Sequence, residues 1–254
     1  ADRFGDQLAA ALEADGVELV LPSRSVAPTT IAVAQIDAAG VADYRFYLAG
    51  TAAADVAVDD VPAAAIAATT SLVLGGLALT MEPISSTLLH VVGALPEDSL
   101  VLLDPNCRAQ VIGDPAPYRR LLDLFLRRAD IVKVSDDDLA LLDPSRPAPE
   151  VARGLLGSGP RAVVLTQGSR PVSIFTVGHH IEVDVPPVAV VDTVGAGDAF
   201  AAGLVVWLER RGIARRDVAD VAVVGAAAAA AAGVAAATCT RVGADPPRVP
   251  SFGA

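Results

Sequence analysis

The run Asp192-Thr193-Val194-Gly195-Ala196-Gly197-Asp198-Ala199-Phe200 holds the residues whose types and spacing best suit chemistry. Two glycines separated by one alanine allow a tight turn and leave backbone amides uncovered. The apolar pattern that follows, through Trp207 and Glu209, predicts a helix opening at that turn. Free amides and the dipole at a helix start attract an anion, such as a phosphoryl group in transfer. Asp198 stands at the same helix start. A carboxylate beside an anion hole suits a general base that takes a hydroxyl proton while the amides stabilise developing charge. On the turn alone, the plainer role of a helix-capping aspartate stands equally open. No Gly-Lys-Ser/Thr follows, so this is not the Walker phosphate loop, and the third glycine of the dinucleotide fingerprint is missing.

The elements that must position this turn alternate between two periodicities. Asp6–Asp15 predicts a helix with Leu8, Ala11 and Leu12 on one face, ended by Gly16. Thr29–Asp37 and Tyr44–Leu48, on either side of Gly40, predict a β-hairpin, the best candidate for a small lid over residues 29–48. Ser71–Leu79, Leu100–Asp104, Asp130–Val134 and Ala162–Thr166 predict buried strands, and Pro117–Asp130 a helix. Val172–Val177 and His180–Val185 predict a second hairpin around Gly178, and Asp217–Ala237 a further helix. Strands alternating with helices predict an α/β fold: a doubly wound, mostly parallel sheet flanked by helices. No internal repeat is visible, and the Pro- and Ser-containing segment 143–149 reads as a surface loop. All 254 residues are therefore expected to form one domain with its lid.

Composition narrows the function classes. Lys and Arg number 19 against 30 Asp and Glu, a net charge of −11, which argues against a nucleic-acid binder that works by neutralising phosphates. Cys107 and Cys239 cannot build a disulfide framework, so a reduced cytoplasmic setting is expected. The longest apolar stretch, Val221–Ala237, is 17 residues of mainly Ala and Gly. A spanning helix needs about 20 strongly apolar residues, so a buried, tightly packed helix is expected instead. Ala1–Asp6 carries charges where a signal peptide would carry an apolar core, and no membrane partner is expected. His90, His179 and His180 lack the spacing of zinc ligands. Cys107 has no histidine nearby in sequence and reads as a small hydrophobe.

Taken together, these segments resemble the ribokinase-like (PfkB) carbohydrate kinases, and most of all bacterial fructokinases. Asp192–Asp198 resembles the family signature Asp-Thr-x-Gly-Ala-Gly-Asp, and Asp104-Pro105-Asn106-Cys107-Arg108 resembles Asp-Pro-Asn-x-Arg. Lys133-Val134-Ser135-Asp136-Asp137-Asp138 sits where the family carries Asn-x-x-Glu, with Ser135 in place of Asn and Asp138 in place of Glu. Thr166-Gln167-Gly168 resembles the Thr-x-Gly turn, Thr240–Ala244 the tail motif, and Ala1–Val17 an early Asp-x-Phe-Gly stretch. The likeness covers essentially the whole chain. The family's leading βαβ unit, with a sugar-contacting Gly-Gly-x-x-x-Asn, would precede Ala1, so the resemblance implies more residues at the start of the biological protein.

The same resemblance implies a set of roles. Asp198 would be the base, with Gly195, Ala196 and Gly197 as the anion hole. Asn106 and Arg108, at the carboxyl end of a strand, would contact substrate or the phosphoryl group. Thr166, Gly168, Gly197 and Ala226 would bind nucleotide. Asp138 would support Mg²⁺ through water, and Asp192 would be linked to a monovalent cation such as K⁺. Plainer roles stand beside these: a surface ion pair for Arg108, a solvated acidic helix start for Asp136–Asp138, a strand exit for Thr166, and tight helix packing for the alanines at 226–232.

The function expected is transfer of the ATP γ-phosphoryl group to a sugar hydroxyl, with fructose the favoured acceptor and a homodimer implied by resemblance. A 2-keto-3-deoxygluconate kinase is the nearest rival, with Arg45 as a candidate for the substrate carboxylate. Ribokinase and nucleoside kinase follow, and a degenerate nucleotide- or sugar-binding module is the rival from outside enzymology.

Overall fold

The structure is a computed structural model that describes residues 2–21, 24–36 and 42–248. In chain order its elements are α1 (Arg3–Ala14), β1 (Ile31–Ile36), β2 (Ala42–Tyr47), α2 (Ala63–Ala68), β3 (Ser71–Gly75), α3 (Ile84–Ala94), β4 (Leu100–Asp104), α4 (Ala109–Ile112) and α5 (Pro115–Leu126). They continue with β5 (Ile131–Ser135), α6 (Asp136–Leu142), α7 (Ala148–Leu155), β6 (Ala162–Gln167), β7 (Arg170–Thr176), β8 (His179–Val183), α8 (Ala196–Arg210) and α9 (Val221–Thr238). The chain forms two units, one of residues 1–69 and 77–96, the other of residues 70–76 and 97–254.

In the first unit, Asp2 starts α1 by accepting the Gly5 amide at 2.9 Å, and it also accepts the amide and hydroxyl of Thr29, each at 2.7 Å. Those three donors stabilise the charged form and hold the Asp2 carboxyl far below the usual carboxylate range. The apolar face expected of α1 is not buried: Leu8 is 58% and Leu12 45% exposed, and only Ala9 is buried. Among the described residues nothing covers that face. Strands β1 and β2 pair antiparallel from Ile31↔Tyr47 to Ile36↔Ala42, as the alternating pattern predicts. The turn expected around Gly40 lies outside the described residues.

The second unit is built on a six-stranded sheet in the order β3-β4-β5-β6-β7-β8. Strands β3 to β6 run parallel, and β7 and β8 extend the sheet antiparallel through the hairpin expected around Gly178. The α/β sheet with helices on both faces matches the expected class. One strand is shorter than expected: β3 stops at Gly75, and residues 76–80 form a 3₁₀ turn. Gly76, the first residue past the strand, has φ 63°, a left-handed conformation that no continuing strand can accommodate. Helices α8 and α9 cover Leu100, Leu102, Ile131, Val164, Val172 and Ile174 on one face. Helices α6 and α7 lie against β5 and β6, and Arg153 of α7 stacks over the Phe175 ring.

Small residues let α8 and α9 approach closely. A Cβ on Gly203 would stand 3.1 Å from the Ala231 Cα, so the helices meet almost backbone to backbone there. By length and composition α9 could cross a membrane, yet Val224, Ala227, Ala228, Ala231 and Ala232 pack into this core. Its alanines at 227, 228, 231 and 232 serve packing, the plainer of the two roles the sequence leaves open for them. At the amino-terminal side of the sheet, the buried Asp130 carboxylate receives Arg128 at 3.0 Å, Arg215 at 2.6 Å and the Val101 amide at 3.0 Å. That bracket fixes the start of β5 against β4.

Candidate active site

Each parallel strand points its carboxyl end toward one edge of the sheet, and there the inward-facing positions change from apolar to charged. On β4 Leu100 and Leu102 face α8 and α9 and Asp104 follows two positions on; on β5 Ile131 faces them and Lys133 follows two positions on. Leu102 pairs with Ile131, so Asp104 and Lys133 lie two positions further along neighbouring strands. Lys133 Nζ donates to Asp104 Oδ2 at 2.9 Å, with the two side chains 7% and 9% exposed. Burial pushes the Asp104 carboxyl up, and Lys133 pulls it back; the Asp138 and Asp198 carboxylates push it up further. Four charged groups therefore converge at this edge.

The Gly-rich turn meets them from α8. Gly195 is the N-cap residue with φ 77°, a left-handed conformation that glycine adopts without steric cost. A Cβ there would also stand 2.7 Å from the Ala244 Cβ. A Cβ on Gly197 would stand 3.0 Å from Lys133 Nζ. The Ala196 amide donates to the Thr193 carbonyl at 3.2 Å, so of the expected anion hole that amide is already committed to the turn. Helix geometry leaves the amides of the next two residues, Gly197 and Asp198, without an i−4 carbonyl inside α8. Asp198 occupies the third helical position, and its side chain is exposed.

Asp192 fastens the turn to the tail motif. Its Oδ1 accepts the Val194 amide at 3.0 Å and its Oδ2 the Gly243 amide at 2.8 Å. Those amides hold its carboxyl below the usual carboxylate range. The Val191 and Asp192 amides in turn donate to the Cys239 carbonyl. Both Asp192 oxygens thus serve the backbone, and the cation role expected of it gains no donor set from these contacts.

Asp138 differs more sharply from expectation. It is 2% exposed, and its oxygens accept the Cys107 amide at 2.6 Å and the Ser135 amide and hydroxyl at 2.7 Å each. Ser135 Oγ accepts the Asp138 amide in return, so the pair forms the capping box of α6. A carboxylate committed to three protein donors does not fit water-mediated support of magnesium. Among the described residues no group of three His, Cys, Asp or Glu side chains could hold a metal.

The remaining candidates lie at neighbouring strand ends or on α9. Asn106 follows β4 with φ 42°, the one non-glycine among the described residues in that region. Arg108 is half-buried, caps α4 and donates to the Cys107 carbonyl at 3.1 Å. Cys107 is buried beside Tyr118, with Sγ 3.3 Å from the phenol oxygen. Thr166 Oγ1 donates to the Val134 carbonyl at 3.3 Å, and Gly168 forms an exposed turn with φ 64°. Ala226 is exposed on α9 while its neighbour Gly225 packs beneath Ile181. The contacts above bring Asp104, Lys133 and Gly197 together, with Asp198 next to Gly197 in α8 and Asp138 bonded to the Cys107 amide after β4; they do not link Thr166, Gly168 or Ala226 to that cluster.

Residues 1–250 match the family described as pfkB family carbohydrate kinase. A fructokinase of Rhizobium leguminosarum bv. trifolii is 31% identical over 208 residues, covering 82% of this chain and 63% of that protein. The chain thus spans less than two thirds of that relative's length. The crystal structure of fructokinase from Xylella fastidiosa with bound ATP superposes with a TM-score of 0.87 at 24% identity, over 96% of this chain and 78% of that one. Fructokinase from Vibrio cholerae O395, in a form with fructose, ADP and calcium bound, gives a TM-score of 0.82 at 25% identity over the same shares.

Proposed function

We propose that this chain, which belongs to the pfkB family of carbohydrate kinases, transfers the γ-phosphoryl group of ATP to a sugar hydroxyl, with fructose as the acceptor. The observation that carries the proposal is the exposed Asp198 carboxylate in the first turn of α8, beside two helix-mouth amides that have no partner within the helix. Asp198 takes the hydroxyl proton as the sugar oxygen attacks, and the Gly197 and Asp198 amides face the charge that develops on the transferring group. Asn106 and Arg108 serve the sugar or its phosphoryl group, Arg108 through a planar, permanently charged fork. Thr166, Gly168 and Ala226 serve the nucleotide, Gly168 and Ala226 as exposed positions with small side chains that permit close approach.

Magnesium supplies charge neutralisation to phosphoryl transfer where it accompanies ATP. Since Asp138 does not fit it here, every step above rests on the chain's own groups. The β1–β2 hairpin keeps the lid role that the resemblance implies. Fructose is favoured over 2-keto-3-deoxygluconate because the Rhizobium relative is named a fructokinase and the Vibrio neighbour holds fructose with ADP.

Turnover measured on fructose, 2-keto-3-deoxygluconate, ribose and adenosine separates the acceptors. Asp198→Asn should lower kcat by about 10²–10⁴-fold, the usual worth of a general base. ADP affinity should stay within roughly threefold, because the nucleotide does not need the base. Near-normal turnover in that variant would refute the assignment.

A further inference from the structure

We propose that Lys133 is a positioning residue for phosphoryl transfer: clamped by Asp104 and seated against Gly197, its ammonium places a fixed positive charge behind the first turn of α8. The inference rests on the kinase function proposed above and assigns a role to a residue outside the sugar, nucleotide and base positions.

Packing alone does not account for this lysine. Its slot continues the Ile131 row that faces α8 and α9, and the residue is 5% exposed. A buried ammonium costs free energy unless it is paired, and replacing a buried ion pair by apolar groups of like volume is often neutral or stabilising. The pair is also incompletely satisfied. Asp104 Oδ1 is buried and has no hydrogen-bond partner among the described residues, so Lys133 holds that carboxylate through Oδ2.

Location gives the charge its use. Asp104, Asp138 and Asp198 interact through space at this edge, and Lys133 is the cation that acts on Asp104 against the other two. Without it, an incoming phosphate would meet Asp198 with an unpaired Asp104 behind it. With it, Asp104 is neutralised and the helix-mouth amides present their positive ends to the anion. A Cβ added at Gly197 would stand 3.0 Å from the ammonium, so a side chain there would press on the ammonium and displace it from the turn. Fixed charge inside a poorly solvated site acts more strongly than in water and needs no reorganisation when charge develops.

The test uses the full chain and two variants, Lys133→Met and the neutral pair Asp104→Asn/Lys133→Met; the second serves if the first does not fold. Calorimetry with the sugar present measures the affinity of ADP and of ADP with aluminium fluoride, a mimic of the transferring phosphoryl group. ADP affinity should change by less than about threefold, whereas the gain from aluminium fluoride should fall by about 30-fold or more. In turnover, kcat should drop by roughly 10²-fold with KM for ATP nearly unchanged. Equal losses on both ligands, or no loss on either, would assign Lys133 to stability alone. Wild-type chain that binds neither ligand would instead overturn the kinase function, and this inference with it.

Discussion

Cys107 shows how a motif position can be chemically silent. It lies between Asn106 and Arg108, yet its thiol faces inward to Tyr118, and burial pushes it up to about 12. The raised value leaves almost no thiolate at pH 8, and the thiolate is the form that reacts. Iodoacetamide at pH 8 should therefore modify the half-buried Cys239 well before Cys107, with Cys107 labelled only after denaturation. Peptide mapping by mass spectrometry reads the order; rapid native labelling of Cys107 would show that its surroundings open. Asp138 and Lys133 make the complementary point. Three successive acidic residues after Ser135 suggested a ligand or a solvated run, but only the fold turns the third of them inward as a cap. Lys133 stands alone as a charge in the apolar run Ile131-Val132-Lys133-Val134, a signal of a buried cation that is legible in the sequence, although its partner is not.

At the scale of elements, the sheet depends on charged brackets as well as apolar rows. Asp130 is 1% exposed and faces Arg128, Arg161 and Arg215, besides accepting the Val101 amide. Asp130→Ala removes the carboxylate that the half-buried Arg128 and Arg215 and the buried Val101 amide share, the costly half of a broken pair. A loss of about 3–5 kcal/mol is expected, read as a lower denaturant midpoint at unchanged slope. A loss below about 1 kcal/mol would mean that solvent already satisfies those arginines. Periodicity located the strands of the sheet, both hairpins and helices α1, α5, α8 and α9, because period 2 and period 3.6 leave different imprints on an apolar sequence, but it passed over α2, α3, α4 and α7. It overran β3, where local apolarity continues to Leu79 while the backbone turns at Gly76. For α1 it found the amphipathic face correctly but not its environment, since burial depends on what lies opposite.

For the molecule as a whole, binding should be visible as stability. A ligand that binds only the folded chain at 100 times its dissociation constant adds about 2.7 kcal/mol. For a chain of this size that raises the Tm by roughly 5–10 °C. Saturating ADP should produce such a shift in wild type, and Asp198→Asn should keep it while losing turnover. A thermal scan without an ADP shift would count against the nucleotide site. The net charge of −11 bears on association with polyanions and says nothing about which fold forms.

Sequence by itself determined the α/β class, the turn before α8 and the family resemblance, because each is written in local spacing: glycines that permit a turn, strands bounded by breakers, and motifs in a fixed order. Tertiary structure decided which charges meet. Asp104 and Lys133 are 29 residues apart and become partners only because β4 and β5 are neighbours in register. Asp192 and Gly243 are 51 apart and join only where the tail folds back on the turn. Burial, pairing and the direction a carboxylate faces are properties of contacts between distant segments, and no local pattern contains them.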